Sequence, residues 1–289
     1  MKVLIDEKAG FCPGVIYAIN IVEKRLKDGK SITALGSLIH NQREIDRLKN
    51  LGLNEVDQDL VENKKINLDQ LKRDALLIRS HGISPRLLEQ IEQHKVTYID
   101  ATCARVVHSQ KIIQQYYKNG YSIVIVGKSN HPEVKALMGF CENKGIVVLN
   151  AGDEKKIKHR KKLLLVAQTT IDEETFEYFA KQLMKGVDEL VVKNTICSIV
   201  QNRHEQVANL ARENDVVIFV AGKNSSNSQV LFAMCQRQNP NSFFISSTNE
   251  LKHQWFKNVE TVGITGGAST PRWQLNEVKE KVESEYSHS

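Results

Sequence analysis

Three stretches of this chain repeat one pattern: a β-branched run, a short polar loop, a cysteine and a helical run. They are VLIDEKAGFCPGVIYAINIV around Cys12, YIDATCARVVHSQK around Cys103 and LVVKNTICSIVQNRHEQVANL around Cys197. The cysteines recur about 90 residues apart, and self-similarity at a fixed period constrains a fold more than any local propensity does. The match continues downstream. SITALGSLIHN, YSIVIVGKSNHPE and DVVIFVAGKNSSNS are each an apolar run that ends in a glycine (Gly36, Gly127, Gly222) and a polar loop. A further strand-like run follows in GIVVLN and SFFIS, with the weaker GLNEVD in the first copy. ALLIRSHGISP, LLLVAQTTID and VETVGITGGASTP then close the copies.

Strands alternating with helical patterns (Val15 to Leu26, Val106 to Tyr117, Gln201 to Ala211) predict α/β units with mainly parallel sheets and helices on their faces. The boundaries expected are 1–97, 98–190 and 191–289, one cysteine to each unit. In parallel sheets ligands gather beyond the carboxyl ends of the strands, where every copy places its cysteine and polar loops. Three copies are expected to close as a pseudo-threefold trefoil around a central cavity, with three cysteines converging near the axis.

Composition sets the outer limits. The 289 residues, 41% hydrophobic and 26% charged, are ordinary for a globular protein. No apolar run reaches the roughly 18 residues of a membrane helix, and MKVLIDEKAG has no apolar core of a secretion signal. A cytoplasmic location is expected, where five cysteines without CxxC spacing are thiols, ligands or catalysts rather than disulfides. The net charge of +6 is densest at Asp153 to Lys162, DEKKIKHRKK, which reads as a solvated face. Nucleic-acid binding needs basic residues interleaved with aromatics, and no aromatic falls inside that cluster.

A single cysteine in such a chain is most simply a small buried core residue, and Cys141 and Cys235, without repeat counterparts, are read that way. Three at one register of a repeat point to ligation. Zinc closes its sphere with four Cys or His ligands; three thiolates with one open position also suit an iron–sulfur cluster, and composition does not separate the two. The surrounding loops carry His40, His81, His131, Glu133, Thr169, Thr170, Ser225, Ser226, Asn227 and Ser269. This set is rich in donors and poor in carboxylates, as a multiply charged anion such as a diphosphate requires. Glu133 is placed to supply protons if its carboxyl is held above its ordinary pKa. Taken singly, the histidines read as loop residues, and KNSSNS and GGASTP as turns and helix caps.

Together GFCPGV, LIHN, SHGISP, DATC, NHPEV, AQTT, TICSIVQNR, GKNSSNS and GASTP resemble the 4-hydroxy-3-methylbut-2-enyl diphosphate reductase family, in order from Cys12 to Pro271. The resemblance implies an oxidoreductase of non-mevalonate isoprenoid synthesis with a 4Fe–4S cluster on Cys12, Cys103 and Cys197. It implies diphosphate contacts from His40, His81, Ser225, Ser226, Asn227 and Ser269, with His131 near the ligand, Glu133 delivering protons and Thr169 supporting it. The implied reaction is reductive dehydroxylation to isopentenyl and dimethylallyl diphosphate. Ala104 replaces the family's usual proline and Gly267 its usual alanine, which predicts a less rigid backbone after Cys103 and a looser clamp beside Ser269. An iron–sulfur sensor or electron carrier on the same scaffold is the alternative, but it has no need of a donor-lined pocket or of an acid at Glu133. A zinc hydrolase with three thiolate ligands is a third reading, separable by metal content. No dinucleotide or flavin motif is present, so electrons are expected from a separate protein such as ferredoxin or flavodoxin.

Overall fold

Each repeat folds into four strands with helices between them, and the first carries one short extra helix. A computed structural model describes residues 1–157 and 160–286, apart from the side chains of Arg160 and Ser226. The first repeat holds β1 (Lys2–Ile5), α1 (Pro13–Lys27), β2 (Ile32–Leu35), α2 (Gln42–Asn50), β3 (Leu53–Val56), a short α3 (Gln58–Glu62), β4 (Ala75–Ile78) and α4 (Pro85–Gln93). The second holds β5 (Tyr98–Asp100), α5 (Ala104–Lys118), β6 (Ser122–Val126), α6 (Pro132–Gly139), β7 (Ile146–Val148), β8 (Arg160–Ala167) and α7 (Glu173–Leu183). The third holds β9 (Val187–Val192), α8 (Ser198–Glu213), β10 (Val216–Val220), α9 (Ser226–Gln238), β11 (Ser242–Ile245), β12 (Thr261–Gly266) and α10 (Arg272–Glu285).

The strands form three four-stranded sheets, ordered β1-β12-β10-β11, β5-β4-β2-β3 and β9-β8-β6-β7, and the neighbours pair in parallel throughout. The α/β class with parallel sheets is as expected. The sheets are offset from the sequence repeat by one strand. The strand leading to Cys103 is the edge of the sheet built from β2, β3 and β4, and the strand leading to Cys197 is the edge of the sheet built from β6, β7 and β8. β1, which leads to Cys12, completes the sheet of β10, β11 and β12, pairing Lys2 with Thr261 and Ile5 with Ile264. The order is therefore cyclic, with the first strand of the chain closing the last sheet.

By compactness the chain divides into two units. Met1–Ile16, Ile39–Leu48 and Ser198–Ser289 form one, with one sheet; Tyr17–Leu38 and Lys49–Cys197 form the other, with two. In the first, alternate residues of β10 face opposite layers. Val216, Ile218 and Val220 pack with Leu275, Val278 and Val282 of α10, while Val217 and Phe219 meet Val207 of α8 and Leu231 of α9. In the second, Leu163 and Leu165 of β8 pack on Phe176 and Phe179 of α7; Leu164 and Val166 face Ile113 of α5 and Leu137 of α6. Leu76 and Ile78 of β4 pack on Leu87 and Ile91 of α4. Covering both faces explains why these strands read as unbroken apolar runs. Burial of one such side chain is worth about 1.5–3 kcal/mol. Cys141 and Cys235 are fully buried core residues, as expected.

In every sheet the second strand of the repeat lies between the third and the fourth. The chain leaves it on one side and returns on the other, making a crevice at the carboxyl ends of β2 and β4, of β6 and β8, and of β10 and β12. The basic cluster carries a 3-10 turn at Asp153–Lys156, an ion pair from Lys156 to Asp153 at 2.7 Å and one from Lys162 to Glu189 at 3.5 Å. Lys158 and His159 of that cluster lie outside the described residues.

Candidate functional site

The three cysteines share one local geometry. Ahead of each, a side-chain oxygen closes a tight turn by accepting an amide two residues on: Asp6 from Lys8 at 3.0 Å, Asp100 from Thr102 at 2.9 Å and Asn194 from Ile196 at 3.0 Å. Each cysteine N–H then donates to the loop after the fourth strand of the sheet. Cys12 bonds the Ala268 carbonyl at 3.0 Å, Cys103 that of Ser80 at 3.0 Å and Cys197 that of Thr169 at 2.8 Å. A helix opens at the next residue in each case, Pro13, Ala104 or Ser198. The helices begin before their apolar periodicity, because the periodicity marks the buried face and not the first hydrogen-bonded turn. Ala104 occupies the first helical position of α5 with Cys103 as N-cap, so the helix starts there without the family's proline.

All three cysteines lie outside disulfides and are half-buried, unlike the sealed Cys141 and Cys235. An accessible sulfur at the positive end of a helix dipole is well placed to bind a metal–sulfur group. The donor set therefore fits a cluster better than it fits a role in core packing.

Within the larger unit the polar residues form a buried acid site. His131 caps α6 through Nδ1, which accepts the Glu133 N–H at 3.2 Å, so the neutral ring carries its proton on Nε2. Glu133 is 2% exposed. One of its carboxylate oxygens accepts the Thr169 N–H and the other the Thr169 hydroxyl, both at 2.7 Å. Burial pushes the Glu133 carboxyl up to about 7, against the lowering effect of the two Thr169 bonds. His81 lies edge-on to His131, ring centroids 5.1 Å apart.

In the smaller unit Ser225 caps α9, accepting the Ser228 amide at 3.3 Å and the Ser228 hydroxyl at 2.8 Å. Asn227 is buried, and its side-chain Oδ1 has no partner among the described residues. Ser226 opens α9, but its side chain lies outside the described residues. Ser269 is buried beside Thr270, whose hydroxyl donates to the Val220 carbonyl at 2.7 Å. The loop bearing His40 runs so close to Gly222 that an added Cβ there would stand 2.1 Å from the His40 carbonyl. At Gly267 Ser228 fills the space that an alanine methyl would take: a Cβ would lie 2.0 Å from its hydroxyl.

Residues 3–283 match the family described as LytB protein. The chain belongs to the LytB family. Among its relatives, the 4-hydroxy-3-methylbut-2-enyl diphosphate reductase of Caldanaerobacter subterraneus subsp. tengcongensis is 39% identical over 98% of this chain and 97% of its own. The protein of the same name from Aquifex aeolicus is 38% identical, covering 98% and 96%. A solved structure of (E)-4-hydroxy-3-methyl-but-2-enyl diphosphate reductase, described as the terminal enzyme of the non-mevalonate pathway, superposes with a TM-score of 0.74 at 38% identity over 98% of this chain and 99% of that one. The E-1-hydroxy-2-methyl-but-2-enyl-4-diphosphate reductase of Plasmodium falciparum superposes with a TM-score of 0.86 at 27% identity, covering 100% and 90%. This LytB-family chain is accordingly an enzyme, an oxidoreductase of isoprenoid synthesis. No described helix is long and apolar enough to cross a membrane.

Sequence reasoning passed over several polar residues that bond to the loops of this LytB chain. Arg79, buried at the end of β4, donates to the Ser37 carbonyl at 2.8 Å and lies where a Gly36 Cβ would stand, 2.7 Å from its guanidinium carbon. Gln168 accepts the Lys128 amide at 3.0 Å and donates to Thr170 at 2.9 Å. Arg203 reaches back to Asp6 at 2.7 Å. The available signal was a polar residue at the end of an apolar strand, in LLIRSHG and LLVAQTT.

Proposed function

We propose that this enzyme converts 4-hydroxy-3-methylbut-2-enyl diphosphate, two electrons and two protons into isopentenyl or dimethylallyl diphosphate and water. Cys12, Cys103 and Cys197 hold a 4Fe–4S cluster with one open iron, and the repeat units 1–97, 98–190 and 191–289 are its building blocks. When bound, the cluster supplies electrons and a Lewis-acidic position. The electrons come from a separate carrier such as ferredoxin or flavodoxin. What carries the proposal is the threefold cysteine setting, turn, backbone bond and helix start alike, in a chain of this family.

The chain's own residues bind the substrate and move protons. Ser225, Ser226 and Asn227 stand at the N-terminus of α9, where the helix dipole favours a diphosphate; Ser269, His40 and His81 are the other diphosphate contacts of this reading. The buried Asn227 side chain offers its NH2 group as a donor to such an anion. Nε2 of His131 is the donor on that ring. Glu133 is near half-protonated at neutral pH, so it both holds and releases a proton. Thr169 fixes one carboxylate oxygen by its amide and exchanges hydrogen with the other through its hydroxyl, which makes it a relay as well as a support.

An anaerobic assay with the hydroxylated diphosphate and a chemical reductant, with iron–sulfur absorbance followed in parallel, tests this function. Brown protein and two-electron turnover are expected. Colourless protein with stoichiometric zinc overturns the proposal.

A further inference from the structure

The polypeptide between strand and cysteine is longest ahead of Cys12. It runs from Ile5, the end of β1, to Pro13, the start of α1, whereas β5 ends at Asp100 and β9 at Val192. A longer loop has more conformational freedom to lose when it is held in one shape. This loop carries a nearly buried ionic anchor. Arg203 of α8 pairs with Asp6 at 2.7 Å, the two side chains being 11% and 10% exposed. The Thr265 hydroxyl donates to the same Asp6 oxygen at 2.8 Å and accepts from Arg203 at 3.0 Å; Arg203 also reaches the Gly266 carbonyl at 3.3 Å. Arg272 clasps the loop from outside through the Asp6 carbonyl at 2.8 Å and the Ala9 carbonyl at 3.4 Å. At the matched positions Asp100 has no ion pair among the described residues, and Asn194 carries no charge.

We infer that the Asp6–Arg203–Thr265 network is a positioning device that holds the Cys12 loop ready to ligate, which the shorter Cys103 and Cys197 loops do not need. The inference rests on the cluster reading above. A buried pair does little for net stability but fixes one geometry, and removing one partner strands the other charge. Loss of Arg203 therefore frees this loop before it disturbs the adjoining sheet, whose two apolar layers do not include it.

The test compares full-length wild type with Arg203→Gln, Arg203→Lys and Thr265→Val. Alkylation of each cysteine in the iron-free chain is timed by peptide mass spectrometry, and loss of cluster absorbance to a chelator is timed in anaerobically purified protein. In Arg203→Gln the Cys12 alkylation rate is expected to rise about tenfold, the ratio for a local opening made easier by about 1.4 kcal/mol. Cys103, Cys197 and the buried Cys141 keep their wild-type rates. Arg203→Lys and Thr265→Val give smaller rises at Cys12 alone, and they carry the test should Arg203→Gln not fold. Cluster loss quickens in the same order. An unchanged Cys12 rate overturns the inference, and so does a rise at Cys12 matched by Cys141, which reports general loosening. The alkylation arm needs no iron, so a wild type that takes up none sinks the cluster reading and leaves this result to be judged separately.

Discussion

Glu133→Gln separates the acid role from a packing role, because the substitution keeps the shape and removes the titration. The amide oxygen accepts the Thr169 N–H and the NH2 group donates to the Thr169 hydroxyl, which rotates to receive it. The carboxyl ordinarily titrates near 4.5 and here near 7, a difference worth about 3 kcal/mol at about 1.4 kcal/mol per pH unit. The folded state holds the proton more tightly than the unfolded chain. The stabilising contribution is therefore fully present below 4.5 and is lost as pH rises through about 7. Glu133→Gln suffers no such loss. Denaturant unfolding of both iron-free chains, from below 4.5 to above 7, should show the variant gaining relative stability across that window, by up to about 3 kcal/mol. Turnover should fall by about two orders of magnitude or more in the variant, and in wild type should decline as pH passes about 7 and the acid form disappears. A stability difference flat with pH refutes the buried-acid account, and unchanged turnover removes Glu133 from proton delivery.

Thr169→Ala deletes one of the two donors to the Glu133 carboxylate, costing about 1 kcal/mol and moving the alkaline fall in turnover to higher pH; a pH–rate profile that stays put argues against the pairing. Serine at Cys12, Cys103 or Cys197 should lower iron content after anaerobic reconstitution, whereas Cys141→Ser and Cys235→Ser should not, and equal loss in all five contradicts the repeat. Gly222→Ala forces the His40 loop away from β10, destabilising the protein by about 1–3 kcal/mol and weakening binding of inorganic diphosphate; wild-type affinity by calorimetry would show that the close approach is not needed.

The triplicated strand–cysteine–helix pattern was enough, by itself, to determine the α/β class, the parallel sheets and the strand ends where polar loops collect. Spacing survives any rearrangement of side chains, and apolar runs of this length on both faces of a strand permit little else. DATC and AQTT likewise announce a cysteine and a threonine after a strand. Sequence could not assign the strand ahead of each cysteine to a sheet, because β1 pairs with β12 from the far end of the chain and nothing local in KVLI says so. Nor could it tell that the Glu133 carboxyl is sealed against Thr169, or that Asp6 meets Arg203. Burial and pairing depend on what other segments bring to the same point, and the chemistry of a carboxyl changes with its surroundings while its letter in the sequence does not. The order of residues chose the scaffold and the inventory of groups. Tertiary packing decided which of those groups became an acid near neutral pH and which became an anchor.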